Sequence, residues 1–237
     1  MKISVVIPAY NESSSIGIVI DKMLRLKRGM PRTTGVSEIE VIVVNDASKD
    51  DTARVVSHYA GDVRLINLTS RSHYGGALKI GFKEASGELI AFLDGDCTYP
   101  PESLFELYQA QVDHNADLVV GSRFLSAKAK MSKVRYLGNK LFVFLINRMT
   151  QKKMTDAASG MRLFKRDILS ELHPLPDGLE FTVAMTVRAL YKNLKVVEVP
   201  ICYGQRVGRS KLNIVTDGAK FIGAIFSTAP KRRRIAH

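Results

Sequence analysis

Residues 91–102, AFLDGDCTYPPE, close an apolar run with two carboxylates separated by one glycine, Asp94 and Asp96. Successive side chains of a strand point to opposite faces, but Gly95 permits a sharp turn that lets both carboxylates converge on one point. Two anions so placed repel one another unless a cation lies between them. Mg²⁺ takes one or two carboxylates and completes its shell with substrate phosphates, and Mn²⁺ accepts the same oxygen ligands. The alternative is an acidic turn in which Asp96 caps a helix starting at Pro100.

Other residues could serve the same chemistry. PAYNE, 8–12, follows an apolar run; its backbone groups and Tyr10 can pack against a flat ring. Asp46 closes a second apolar run and could accept hydrogen bonds from a base or ribose. SHYGGALKIGF, 72–82, puts Gly75 and Gly76 at a helix start, where backbone can approach a ligand closely. It is not a P-loop, since no Gly-Lys-Ser/Thr follows, and it lacks the GxGxxG of dinucleotide folds.

The elements that must position these groups can be read from the pattern of apolar residues. Strands are expected at 3–8, 40–46, 63–68, 88–94 and 116–122, with helices at 12–27, 48–60, 75–85 and 100–112 between them. This alternation predicts an α/β fold of βαβ units around a mainly parallel sheet. Ligands of such sheets bind beyond the carboxyl ends of the strands, where Asp46 and Asp94 both fall. The second half is less regular, with helices expected at 136–150, 180–192 and 211–226, a short strand and helix within 159–172, and a strand at 195–203. No linker rich in Pro, Gly or Ser divides the chain, so 1–237 reads as one domain whose second half, 124–237, completes the site.

The 237 residues carry a net charge of +12. Between Asp117 and Asp156 lie nine basic residues, from Arg123 to Lys153, and no acidic one; the chain ends APKRRRIAH. Such a surface calls for a polyanionic partner: a phosphorylated substrate, anionic lipid or nucleic acid. A nucleic-acid-binding protein would leave Asp-Gly-Asp unexplained, and the chain shows neither a recognition-helix pattern nor aromatic-rich strands. A nucleotidyltransferase would open with a Gly-rich loop where this chain has PAYNE. The basic residues flank LFVFLI, 141–146, and a helix with an apolar face and a basic rim can lie in a membrane interface. The other reading is a helix packed on the core. Cys97 and Cys202 share no metal-ligand spacing and read as reduced thiols. The apolar start is too short for a secretory leader, and no window reaches the roughly 18–20 apolar residues that span a bilayer. The expectation is a cytoplasmic protein, soluble or peripheral on the cytoplasmic face of a membrane.

In this order and spacing, VVIPAYNE, VIVVNDASKDDT, GGALKIGF, FLDGDCTYPPE and GSR resemble the nucleotide-sugar-binding half of family 2 glycosyltransferases. The match covers residues 1–123. It implies the GT-A fold, a Rossmann-like sheet flanked by helices with a C-terminal acceptor-side extension. It also implies a GDP- or UDP-sugar donor and Mg²⁺ or Mn²⁺ at Asp94 and Asp96. Pro8, Ala9, Tyr10, Glu12 and Asp46 would hold the nucleoside, with Gly76 close by. DAASGMRLFKRDIL, 156–169, and VEVPICYGQRVGRSKL, 197–212, resemble the polyprenyl-phosphate glycosyltransferases of the dolichyl-phosphate mannose synthase type. That likeness implies phosphate contacts from Arg206, Ser210 and Lys211, with Arg123 and Arg135 as further candidates. Some relatives carry transmembrane helices after the catalytic domain, and KRRR, 231–234, is the kind of cluster found on the cytoplasmic side of such helices. Processive members carry Gln-x-x-Arg-Trp; this chain has no tryptophan, which argues against a processive polymerase.

The implied reaction is a single displacement at the anomeric carbon, with inversion. The metal, Arg206 and Lys211 would neutralise charge on the leaving diphosphate. A polyprenyl-phosphate acceptor arrives already ionised and needs orientation by Arg123 and Arg135. A glycan hydroxyl acceptor would need a base, for which Asp156 and Glu180 are the candidates.

Overall fold

The computed structural model describes residues 1–29, 34–126, 131–208 and 213–228. Seven strands form one sheet: β1 (Lys2–Ala9), β2 (Glu38–Asn45), β3 (Arg64–Asn67), β4 (Leu89–Phe92), β5 (Leu118–Ser122), β6 (Arg162–Lys165) and β7 (Val196–Pro200). Their order is β3-β2-β1-β4-β6-β5-β7. All are parallel except β6, which runs antiparallel between β4 and β5. The sheet therefore takes strands from both halves of the chain.

The uninterrupted β-branched runs of β1 and β2 are explained by cover on both faces. Alternate side chains enter different cores, as period 2 requires. Val6, Ile42 and Val44 pack with α3 (His73–Glu84), α5 (Lys133–Thr150), α7 (Phe181–Tyr191) and α8 (Ile214–Thr228). Ile3, Val5, Ile7, Val41 and Val43 pack with α1 (Ile16–Gly29), α2 (Thr52–Ser57) and α4 (Leu104–His114). The helix expected at 100–112 starts as a 3₁₀ turn, Pro101–Ser103, since Pro101 fits a first turn without its missing N–H. The helix expected within 159–172 is only a 3₁₀ turn, Arg166–Ile168, and the short α6 (Leu169–Leu172).

This topology fixes where chemistry can occur. The carboxyl ends of β1, β2, β4, β5 and β7 all open on one edge, and the antiparallel β6 brings its amino end there too. The order changes direction at β1, between β2 and β4, and leaves a crevice at that edge. Loops and a helix start on this edge hold non-glycine residues at positive φ: Asn11 (50°), Ala47 (53°), His73 (63°) and Cys97 (67°). Backbone of this kind persists only where its surroundings hold it, and it concentrates at functional sites. Here the loops brace one another: Asn11 N–H donates to Ser48 Oγ at 2.9 Å, Lys49 N–H to Asn11 Oδ1 at 2.7 Å, and Glu12 N–H to Thr52 Oγ1 at 2.9 Å.

Candidate active site

A cleft of about 410 Å³ opens at this edge. Pro8, Ala9, Tyr10, Glu12, Asp46, Asp94, Asp96, Arg123, Arg135 and Arg206 all line it, so the structure gathers most of the residues singled out from sequence. Ser210 and Lys211 lie outside the described residues.

Asp46 sits on one side, 3 % exposed. Its Oδ1 accepts from Ser72 N–H at 2.6 Å and Ser72 Oγ at 2.9 Å, and its Oδ2 from Arg71 Nε at 2.9 Å. The Arg71 guanidinium carbon lies 3.4 Å from the centroid of the Tyr10 ring, a stacked cation–π contact. Tyr10, Asp46 and Arg71 thus form a linked polar stack along this side of the cleft. Sequence reading missed Arg71; the signal available was its place just before the helix at His73.

Asp94 and Asp96 follow β4 at the middle of the cleft. Tyr74, in the first turn of α3, donates its hydroxyl to Asp94 Oδ1 at 2.8 Å. Asp94 Oδ2 takes no hydrogen bond from the described residues. Asp96 Oδ1 accepts from Thr98 N–H at 3.0 Å and from Thr98 Oγ1 at 2.5 Å. Arg206 spans the gap to the first strand, donating Nη1 to Asp96 Oδ2 at 2.6 Å and Nη2 to Glu12 Oε1 at 2.5 Å. The loop that carries it is tied down by Val207 N–H to Asp96 O at 3.0 Å and Gly204 N–H to Thr98 O at 2.8 Å.

Burial and the neighbouring Asp96 charge push the Asp94 carboxyl up from the ordinary 3.8 to about 7. A carboxylate pair under such mutual repulsion fits a cation. Among the described residues no group of three or more His, Cys, Asp or Glu side chains could hold a metal by itself. Two hard oxygen donors fit a divalent cation whose remaining ligands come from a diphosphate.

Two expected roles look different in the structure. Asp156, named as a base, is fully buried and is the counter-ion of Arg123. Arg123 donates Nε to Asp156 Oδ2 at 2.6 Å and Nη2 to Asp156 Oδ1 at 2.7 Å, a two-pronged pair. Arg123 Nη2 also reaches Asn139 Oδ1 on α5 at 3.3 Å, and its guanidinium carbon lies 5.4 Å from the Tyr203 ring centroid. Arg123 therefore lines the cleft already oriented, while both Asp156 oxygens are engaged and Asp156 does not line it. Glu180 precedes α7 and is not a lining residue either; its carboxylate folds back over Gly178.

Gly76 does not line this cleft but a neighbouring hollow that shares Arg71 and His73 with it. Gly75 and Gly76 donate to the Asp177 carbonyl at 2.6 and 3.1 Å. Gly75 is needed for close approach, since a Cβ there would lie 2.9 Å from the Phe181 ring and still closer to the Pro176 carbonyl.

The far wall belongs to α5 and α8, with Val134, Gly138 and Phe142 of the first and Gly218 and Phe221 of the second lining it; the Phe142 and Phe221 ring centroids lie 5.3 Å apart. On α5, Phe142, Val143 and Ile146 are buried. A second stripe at helical spacing, Val134, Leu137, Leu141 and Phe144, is exposed, with Leu137 at 71 % and Phe144 at 65 %. Ile222 and Phe226 of α8 are exposed as well. One face of α5 packs on the core and another stays bare. No helix among the described residues is long and apolar enough to cross a membrane.

A seven-stranded sheet with this order and a paired-aspartate cleft at its switch point define the GT-A class. Glucosyl-3-phosphoglycerate synthase from Mycobacterium tuberculosis, solved with Mn²⁺, UDP and glucosyl-3-phosphoglycerate, shares this fold with a TM-score of 0.76. That likeness covers 98 % of this chain and 81 % of that one at 22 % identity. Residues 4–173 match the model described as glycosyl transferase family 2, and the chain belongs to that family. Among curated relatives, the low-salt glycan biosynthesis hexosyltransferase of Haloferax volcanii is 28 % identical over 96 % of this chain and 54 % of its own length. The dolichol-phosphate mannosyltransferase of Pyrococcus furiosus is 28 % identical over 90 % of this chain and 59 % of its own length. The undecaprenyl-phosphate mannosyltransferase of Micrococcus luteus is 30 % identical over 90 % of this chain and 88 % of its own. The chain thus spans little more than half the length of the first two.

Proposed function

We propose that the protein transfers a hexose from a nucleoside diphosphate sugar to a polyprenyl phosphate, with inversion at the anomeric carbon. The observation that carries this reading is the layout of the cleft. One side is a linked polar stack, the middle holds two aspartates and three arginines, and the far wall is two helices with bare apolar side chains. The stack of Tyr10, Asp46 and Arg71 suits the base and ribose. Asp94 and Asp96 would hold Mg²⁺ or Mn²⁺, which when bound offsets negative charge on the diphosphate.

Arg206 lies within the same group of charges, and release from Asp96 would let its guanidinium bind the departing diphosphate. Arg123 is held by Asp156 and Asn139 in one orientation, ready to receive an anionic acceptor together with Arg135. An acceptor phosphate needs no base, which agrees with the engagement of both Asp156 oxygens by Arg123. We further propose that α5 and α8 rest on the membrane surface: their exposed apolar residues would enter the headgroup boundary while Lys133, Lys140 and Arg148 meet anionic lipid. This agrees with the names of the polyprenyl-phosphate relatives. It corresponds to a peripheral protein on the leaflet that presents the acceptor, taken here as the cytoplasmic one.

The test is sugar transfer in detergent or vesicles, with UDP- and GDP-hexoses as donors and either undecaprenyl phosphate or a soluble glycan as acceptor. Labelled sugar entering the organic phase, dependent on Mg²⁺ or Mn²⁺, is the expected result. Transfer only to the glycan would replace the lipid acceptor with a hydroxyl, and require a base not yet identified.

A further inference from the structure

Arg162 opens β6, where it pairs with Phe92 of β4 and Val120 of β5, and it is fully buried. Among the described residues no carboxylate forms a hydrogen bond or ion pair with it. Its Nε donates to the Ser159 carbonyl at 3.1 Å and its Nη2 to the Ala157 carbonyl at 2.7 Å. Its Nη1 is buried and has no partner among the described residues. Burial pulls this guanidinium down from 12.5 to about 10, against the opposing pull of Asp156, Tyr74 and Tyr99. A buried cation whose nearest counter-charge, Asp156, is already paired with Arg123 is costly to hold. The fold alone therefore gives little reason for an arginine here.

The carbonyls it holds belong to the turn 157–160, which arrives at the cleft because β6 runs antiparallel. Ala158 and Gly160 line the cleft. Gly160 donates its N–H to Tyr99 Oη at 2.7 Å, and Ser159 Oγ donates to the Gly121 carbonyl at 2.6 Å. A Cβ on Gly160 would stand 2.7 Å from Asp94 Oδ2 and 2.8 Å from Asp94 Oδ1, so this turn is the wall against which the Asp94 carboxylate lies. We propose that Arg162 is a positioning residue: its fork locks the turn 157–160, and that turn fixes the aim of Asp94 into the cleft. The inference rests on the reading of Asp94 as a ligand for the metal–diphosphate group. Lysine at 162 keeps the charge but cannot bridge two carbonyls in one plane.

The experiment compares the full chain with Arg162→Met and Arg162→Lys. UDP and GDP are titrated with and without Mn²⁺, and hydrogen exchange is followed at 157–160. Both variants should bind nucleotide without metal as the unaltered protein does, because Tyr10, Asp46 and Arg71 are untouched. The factor by which Mn²⁺ tightens nucleotide binding should fall at least about fivefold. Exchange at 157–160 should quicken at least about tenfold, with the melting temperature of Arg162→Met unchanged or raised. Unchanged exchange together with unchanged Mn²⁺ enhancement in Arg162→Met overturns the proposal. Full rescue by lysine overturns the fork. If the unaltered protein shows no Mn²⁺ enhancement, the metal reading fails instead, and the exchange rates still decide whether Arg162 locks the turn.

Discussion

Asp94 and Asp96 differ in surroundings although one residue separates them. Asp96 pairs with Arg206 and accepts from Thr98, whereas among the described residues Asp94 accepts only from the Tyr74 hydroxyl. Burial and the neighbouring Asp96 charge leave Asp94 titrating near pH 7 without metal. Its folded carboxyl binds a proton more tightly than in the unfolded chain. The metal-free protein therefore has the stability from this group below about pH 4 and loses it as pH rises through about 7. A cation must displace that proton. Mn²⁺ affinity should thus drop as pH falls from 8 to 6, approaching about tenfold per unit below 7, with proton release seen by calorimetry in buffers of different ionisation enthalpy. A flat affinity profile would contradict the assignment of Asp94. Asp96→Asn should lower turnover by about 10²–10³-fold while Tyr10, Asp46 and Arg71 still bind nucleotide, as nucleotide titration would verify.

At the scale of elements, α5 serves two masters on adjacent faces. Phe142, Val143 and Ile146 fasten it to the core; Asn139 links it to Arg123; Leu137 and Phe144 face outward. The outward stripe adds little to folding because it stays in water, so its substitution separates docking from stability. Leu137→Glu with Phe144→Glu should weaken binding to anionic vesicles at least about tenfold, the combined loss of two apolar insertions and gain of two repelled charges. Flotation measures the binding, and a melting temperature within a few degrees of the parent shows that the fold is kept. Equal flotation of parent and variant would detach α5 from any membrane role.

For the whole molecule, charge and topology act together. The net charge of +12 has its longest acid-free stretch between Asp117 and Asp156, which includes α5 at the cleft mouth. Binding to vesicles of anionic lipid should weaken as salt rises from 0.1 to 1 M, since the screening length shrinks from about 10 to about 3 Å. A residual, salt-resistant part would report the apolar stripe. Binding indifferent to both salt and lipid charge would rule out an electrostatic contribution from the basic rim.

Strand ends were legible because buried parallel strands are nearly continuous apolar runs, and such runs end at Asn45 and Phe92 just before Asp46 and Asp94. Period and local composition thus sufficed for most strands of the sheet and for the edge that carries ligands, while the family resemblance supplied most of the cleft residues. Period and composition could not supply pairings that depend on strand order. Arg206 meets Glu12 across 194 positions and Asp156 meets Arg123 across 33. Gly75 and Gly76 looked free to approach a ligand until the Asp177 carbonyl took their N–H groups. Nothing local singles out Arg162, which the sheet buries behind the turn that walls Asp94. Local patterns reflect which face of an element is apolar; which distant side chains share that face is set by sheet order, and that order emerges only when the whole chain packs.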